Sequence, residues 1–345
     1  MDEQHVVQTD EEEISLKELC LALWKHKVVI ISITLITALL TGIISVFFIP
    51  PAYHSRLNII INMPETFHTK YGDYTLPITS NDQYINLITS NDILIHTIDA
   101  MGYDPNVVTI ENLRDRITIG AIAKTNGVEQ NSFDIKVEAG NPLEAQQLAQ
   151  TLFDNYMEFV DVTTVEGALN NFMAQFTTSL KSLQVSLEST QKILAQNEKL
   201  LAETPQTINQ KEAMNEIESQ VNADEFVVLE NVINPNYTKV ENDIIGNKQA
   251  INSIENSMRV QNEYLAELDS MRDQLNTYYD TGDFEDLQSN ILSVTKSNIY
   301  LPSAAVVPSR KTSPSNAKNV ILGTLLGGML GVLAALIKEY WFKKN

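Results

Sequence analysis

Cysteine is almost absent from this sequence: Cys20 stands alone among 345 residues. An internal disulfide is excluded, and a thiolate zinc site is not expected. Histidine is sparse as well. His5, His26, His54, His68 and His96 are scattered without the spacing of metal ligands, so no metal is expected. Basic charge is short, with 24 Lys and Arg against 44 Asp and Glu. The formal charge of −20 argues against nucleic acid or anionic lipid as the main partner, since clusters of Lys and Arg grip both. Motifs of catalysis are missing too. There is no GxSxG nucleophile elbow. The acidic "DTGDFEDL" (280–287) lacks the spacing and glycine position of an EF-hand and reads as a solvated turn. Carboxylates are abundant, but without geometry abundance does not make a catalytic pair. No catalytic residue and no cofactor are expected.

Two long runs lack charge altogether. Residues 28–49 read "VVIISITLITALLTGIISVFFI", and residues 320–337 read "VILGTLLGGMLGVLAALI". Each is near the ~20 residues that a helix needs to cross the hydrocarbon core. The first run is too long for a signal-peptide core, has no small-x-small cleavage site and follows an acidic stretch, so it is read as an uncleaved span. Lys17, Lys25 and Lys27 precede it and only Arg56 follows closely, which places the N-terminus in the cytoplasm. A second span returns the C-terminus there. Its own vote is weak, because Arg310, Lys311 and Lys318 lie before it and Lys338, Lys343 and Lys344 after it. Trp24 and the group Tyr340, Trp341 and Phe342 suit the membrane interface.

The second run carries four glycines, which invites a nucleotide reading. It has no GK[ST], follows no strand and lies within an apolar run, so neither a P-loop nor a dinucleotide fingerprint fits. Gly323, Gly327 and Gly331 recur every fourth residue. On a helix they form a groove without side chains, the pattern by which membrane helices approach closely.

Residues 51–319 hold 36 of the acids and 18 of the bases. They begin with an α/β block. "YHSRLNIII" (53–61) alternates as a strand with one buried face. Helical signals follow, with caps at Ser80 and Ser90 and a terminating Gly102. "LRDRITIGAIA" is expected as a second strand and "SFDIKVE" (132–138) as a third. Asn141, Pro142 and Glu144 then open a helix whose apolar stripe is Ala145, Leu148, Ala149, Leu152, Phe153 and Tyr156. Next comes long helix. Phe172, Phe176, Leu180, Leu183, Leu187, Leu194 and Leu201 keep near-heptad spacing up to Pro205. After an Asn-Pro turn, Ile244, Ile251, Met258 and Leu265 alternate with Ile254, Leu268 and Leu275 at a/d positions, interrupted by Asn247, Gln261 and Arg272. Such a helix pair would extend about 50–65 Å at 1.5 Å per residue. "IYLPSAAVV" is expected to add a last strand, after which Pro302, Pro308, Pro314 and Ser315 mark an extended pre-membrane segment.

In this order the pieces are familiar. "EEISLKELCLALWKHKVVIISITLI", "PPAYHSRLNIII", "ENLRDRITI", "SFDIKVEAGNPLEAQQLAQTLFDNY", "INPNYTKVE" and "LPSAAVVPSRKTSPSNAKN" before a glycine-rich span resemble the Wzz-type chain-length determinants, the polysaccharide co-polymerases. The resemblance implies a membrane-proximal α/β base with a long helical hairpin, ring-like homo-oligomers, no catalytic residues, and control of the length of a lipid-linked glycan together with its polymerase. Some relatives carry or recruit a tyrosine kinase. Here eight residues follow Ile337 and no Walker A occurs, so a fused kinase is not expected. A separate kinase could meet the tail or the N-terminal segment, while the acidic 11–13 reads as a solvated face, or else as a contact for a basic cytoplasmic partner.

The expected fold class is thus an α/β membrane protein whose two transmembrane helices flank an α/β domain with a long helical hairpin or coiled-coil extension. The divisions are 1–27 (cytoplasmic segment), 28–49 (first span), 51–163 (extracytoplasmic base), 164–295 (helical extension), 296–319 (final strand and Pro-rich segment), 320–337 (second span) and 338–345 (cytoplasmic tail). The expected function is non-enzymatic co-polymerase scaffolding in a bacterial plasma membrane. The alternative is a two-span sensor acting through a recruited cytoplasmic partner. An outer-facing hydrolase would rest only on unmatched carboxylates.

Overall fold

The computed structural model describes residues 16–120, 131–209, 231–282, 284, 287 and 298–341. The chain divides into two compact units. One comprises the residues up to Asn62, Ser80–Tyr156 and those from Ile299 on; the other comprises Met63–Thr79 and Met157–Asn298. The acidic 11–13, most of the 280–287 turn's acids and the last four residues lie outside the described residues.

The first unit opens with α1 (Leu16–Lys25) and α2 (Lys27–Phe47). It ends with the last helix, α8 (Asn316–Tyr340). Both α2 and α8 are long and apolar enough to cross a membrane, with mean hydropathy 2.5 and 2.4 over their most apolar stretches. Strand β1 (Tyr53–Ile61) follows α2. Its alternation buries Ser55, Leu57, Ile59 and Ile61 on one face. Antiparallel β5 (Ser132–Ala139) lies beside it, with Leu57 opposite Ile135 and Ile59 opposite Phe133. The order of the sheet is β4 (Ile117–Ile119), β5, β1 and β8 (Ile299–Tyr300). The core is completed by Tyr84 and Ile85 of α3 (Asn81–Asn86), by Ile93, Leu94 and Ile98 of α4 (Asn91–Ala100), and by the first turns of α6 (Pro142–Glu203). The whole stripe Ala145, Leu148, Ala149, Leu152, Phe153 and Tyr156 is buried. The Tyr156 hydroxyl, deep in this core, donates to the Tyr84 carbonyl at 3.1 Å, so its burial leaves no orphaned donor. Burial pushes this phenol far above its ordinary range.

Ser90 stands at the N-cap of α4 but makes no side-chain bond to it, whereas the other local signals read from sequence act as capping chemistry demands. Ser80 accepts from the Gln83 amide. Asn141 Oδ1 accepts the Glu144 amide at 2.8 Å while its own amide donates to the Glu144 carboxylate at 3.0 Å. Gly102 sits at φ 65°, ending α4 in a left-handed turn that a side chain would strain.

Two expected strands are shorter than read. "LRDRITIGAIA" is divided: its first three residues end α5 (Ile110–Asp115), which Thr109 caps by accepting the Asn112 amide at 3.2 Å. Only Ile117–Ile119 forms β4, and residues 121–123 lie outside the described residues. The cap captures residues whose apolar pattern also suits a strand. "IYLPSAAVV" contributes only β8 (Ile299–Tyr300), because Pro302 has no amide to continue the ladder.

In the second unit, the helix begun in the base continues unbroken to Glu203, so the two helical stretches read in sequence are one helix of 62 residues. After it, α7 (Pro235–Thr281) runs antiparallel for 47 residues, or about 70 Å. That exceeds the expected 50–65 Å. Gln261 donates to the Ser179 hydroxyl at 2.9 Å, and Lys248 pairs with Glu198 at 3.1 Å. The far ends are tied by the short ladder of β6 (Thr207–Ile208) and β7 (Val232–Ile233). Asn234 is the keystone there. It is buried, caps α7 through the Asn236 amide at 3.0 Å, and donates its side-chain amide to the Pro205 carbonyl at 2.8 Å. Asn234→Ala is expected to cost about 1–2 kcal/mol, the upper range for a cap, seen as a lower thermal midpoint and faster proteolysis at the helix ends.

Residues 63–79, assigned to the base by sequence, cluster with the helical unit. They form the hairpin of β2 (Thr66–Thr69) and β3 (Gly72–Thr75), whose aromatic residues find partners on the helices. Tyr71 packs 5.8 Å from Phe172 and edge-on 5.4 Å from Tyr264. Its hydroxyl donates to Glu267 at 2.8 Å, and Lys70 reaches the same carboxylate at 2.6 Å. The Lys70 and Tyr71 hydrogen bonds hold the Glu267 carboxyl below its usual range. Gly167 leaves room for the Tyr74 hydroxyl, which an added Cβ would strike. The a/d residues of α7 are unequally covered. Ile244, Leu268 and Leu275 are buried, whereas Ile251, Ile254, Met258 and Leu265 are half-buried.

Candidate functional site: the seam between the two apolar helices

The three glycines named from sequence face α2. A Cβ on Gly327 would lie 2.9 Å from both Thr34 Cα and Thr37 Cβ. One on Gly331 would lie 2.9 Å from Ile30 Cα, and one on Gly323 would strike the Thr41 hydroxyl and lie 2.7 Å from Thr41 Cβ. Real Cβ atoms do not approach so closely, so only glycine admits this spacing. All three are buried. The fourth glycine differs: at Gly328 the nearest neighbour is Thr34 Oγ1, at 4.0 Å.

Sequence reasoning found the glycines and missed their partners. Thr34, Thr37 and Thr41 occupy one face of α2, which their spacing in the first apolar run could have revealed. Thr34 and Thr37 donate to the carbonyls of Ile30 and Ile33 at 2.7 and 2.8 Å, and Thr41 donates to that of Thr37. Each hydroxyl is thus satisfied within its own helix. In hydrocarbon this removes a cost that an unpaired hydroxyl would carry.

Polar clamps close both ends of the pair. At one end Ser45, 1% exposed, donates to Asn316 at 3.2 Å and accepts from Asn319 at 2.9 Å. At the other, Glu339 takes Lys25 at 3.0 Å and His26 at 2.9 Å. Such contacts fix the register of two antiparallel helices that close packing alone would let slide. Trp24 and Trp341 remain exposed near this second end.

The segment leading into α8 is fastened to the one leaving α2. Ala52 and Ser313 form a β-bridge, with the Ala52 amide donating to the Ser313 carbonyl at 2.9 Å. The Ser55 hydroxyl donates to the Val306 carbonyl at 3.0 Å. Of the pre-membrane residues named from sequence, Pro314 is buried, Pro308 half-buried, and Pro302 and Ser315 exposed. Ser315 stands at the N-cap of α8 without a side-chain bond to it. The seam and this strap hold two helices together; among the described residues no group of three or more His, Cys, Asp or Glu could hold a metal.

The stretch that builds one wall of this seam is the one that matches a known family. Residues 12–101 match the Wzz family, described as chain length determinant protein. This is the family that the sequence resembles. The Wzz match takes in α1, α2, β1 and the helices up to α4, and so includes Thr34, Thr37 and Thr41 but not the glycines facing them. Among solved structures, the chain is similar to one described as a full-length bacterial polysaccharide co-polymerase, at 16% identity and TM-score 0.42, covering 96% of this chain and 99% of that one. It is also similar to the Shigella flexneri lipopolysaccharide O-antigen chain-length regulator WzzBSF, at 13% identity and TM-score 0.32, over 75% of this chain and 99% of that one. A fragment of WzzB, a polysaccharide co-polymerase from Salmonella Typhimurium, gives 14% identity and TM-score 0.25 over 76% and 100%. No curated protein sequence matches the chain.

Proposed function

We propose that this chain is a non-enzymatic polysaccharide co-polymerase that sets the length of a cell-surface polysaccharide by scaffolding. The observation that carries the reading is the Wzz match over residues 12–101, which spans the first apolar helix and the start of the base. The glycine seam supports a mechanism in which two locked spans, with both termini in the cytoplasm of a bacterial plasma membrane, anchor a helical arm outside it. Val185, Ile193, Leu200 and Ile245 are exposed along that arm. Together with the half-covered Ile251, Ile254, Met258 and Leu265, they offer apolar surface to neighbouring copies in a homo-oligomer. The assembly would hold the polymerase and the lipid-linked glycan, and a separate tyrosine kinase is a candidate partner on the cytoplasmic side.

The test is the size distribution of the surface polymer, read on a gel, in a strain lacking this gene. Loss of a preferred length, with polymer still made, is expected. Polymer of unchanged amount and distribution would overturn the proposal.

A further inference from the structure

The chain as a whole is acidic, yet the residues beside the spans are not. No Asp or Glu occurs between Glu18 and Glu65, or between Asp286 and Glu339. On the side where the base lies, the parts of these stretches next to the spans carry Arg56, Arg310, Lys311 and Lys318. The fold brings them to one end of the first unit. Arg56 lies three residues into β1, about 10 Å along the strand from Tyr53 at 3.3 Å per residue. Arg310 and Lys311 precede Thr312 and Ser313, which are bonded to Ala52.

The sheet adds a fifth cation in an unexpected place. Lys136 of β5 stands directly opposite Arg56 of β1 in the antiparallel register. Like charges so placed weaken a sheet. Among the described residues, neither side chain has a hydrogen bond or ion pair to relieve it. On the same face Glu138 pairs with His54 at 2.7 Å and Asp134 accepts from the Asn58 amide at 3.0 Å; both carboxylates keep their charge and offset part of the repulsion, which leaves Arg56, Lys136, Arg310 and Lys311 in excess over them. The face is uncovered, since Arg56 and Asp134 are exposed and Lys136 is half-buried. An anion between the two cations would turn the repulsion into attraction.

We infer that this foot is a binding site for the phosphate of a membrane lipid, with Arg56 and Lys136 as its centre and Arg310 and Lys311 as its rim. The occupant is argued from position and charge. The rim, Arg310 and Lys311, adjoins the strap on Ala52, five residues beyond the end of α2 at Phe47, with Arg56 about 10 Å along β1 from Tyr53, and phosphate is the anion that a membrane presents on this side. The net charge of −20 counts against an anionic surface for the chain as a whole, but the foot is locally cationic. The inference rests on α2 and α8 spanning a membrane, not on the co-polymerase reading.

Full-length protein in a neutral detergent would be titrated separately with phosphatidylglycerol and with an isoprenoid diphosphate, and bound lipid counted by native mass spectrometry. The double variants Arg56→Gln/Lys136→Gln and Arg310→Gln/Lys311→Gln would be compared with wild type. Affinity is expected to fall about fivefold for each basic residue removed and to weaken with salt. The thermal midpoint of Arg56→Gln/Lys136→Gln without lipid should equal or exceed that of wild type, because a repulsion is gone. Binding of the diphosphate alone assigns the site to a lipid-linked carrier. Binding of phosphatidylglycerol alone assigns it to the bulk leaflet, and binding of both to lipid phosphate in general. No binding by wild type, equal binding by the double variants, or a change confined to oligomeric state would overturn the inference. Polymer length, measured independently, tests the co-polymerase reading whatever the lipid result.

Discussion

Gly327→Leu is expected to abolish the preferred polymer length at normal protein level, while Gly328→Leu, one residue further on, leaves it unchanged. The two glycines have the same chemistry and sit in the same helix; they differ in what lies opposite. At Gly327 an added Cβ would lie 2.9 Å from Thr34 Cα, a backbone atom that cannot turn aside. The helices must then separate or shift in register, which strains the clamps at Ser45 and Glu339. Overpacking of this kind costs about 1–3 kcal/mol, and the loss of the remaining glycine contacts adds to it. At Gly328 the nearest atom is 4.0 Å away and the side chain points out of the seam. The readout is the polymer size distribution in a deletion strain carrying each variant, with membrane levels checked by immunoblot. If both variants restore wild-type length, the seam has no part in function. If both fail, general disturbance of the span replaces helix packing as the cause.

The other large effect belongs to the helical unit. Phe172→Ala is expected to destabilise it by about 3–5 kcal/mol, the usual cost of truncating a buried aromatic residue. Phe172 is fully buried and meets Tyr71, Tyr74 and Phe176 at ring distances of 5.8, 6.2 and 6.4 Å. It thereby holds the β2–β3 hairpin to the long helices. Phe172→Leu keeps most of the volume and should cost much less. Proteolysis of the full chain at increasing urea would show cleavage in the hairpin, 66–75, at lower denaturant for Phe172→Ala than for Phe172→Leu. Equal resistance of both variants to wild type would mean that the ring contributes little.

Several features follow from sequence because they are local. The alternation of Tyr53–Ile61 sets which face of β1 is buried, and two apolar runs set the lengths of α2 and α8. Ser80, Asn141 and Asn234 start helices because their side chains satisfy amides two or three residues away. Gly323, Gly327 and Gly331 could be grouped by their period of four alone. The shortfalls were local competitions settled elsewhere. Residues 110–119 carry both a cap and an apolar pattern, and the cap at Thr109 took six of them for helix. No periodicity marks Tyr71 and Tyr74 as parts of a helix-packing hairpin, because their partners lie about a hundred or more residues away.

The sequence by itself determined an α/β chain with two helices long and apolar enough to cross a membrane and a long helical arm, because hydrophobic length, period and caps act over a few turns. Only the tertiary structure decided what each marked residue meets: Thr34, Thr37 and Thr41 behind the glycines, the strap of Ser313 on Ala52, and Arg56 set against Lys136. Those pairings join residues 80 to nearly 300 positions apart, and their energies depend on distances of a few ångströms that no local pattern encodes.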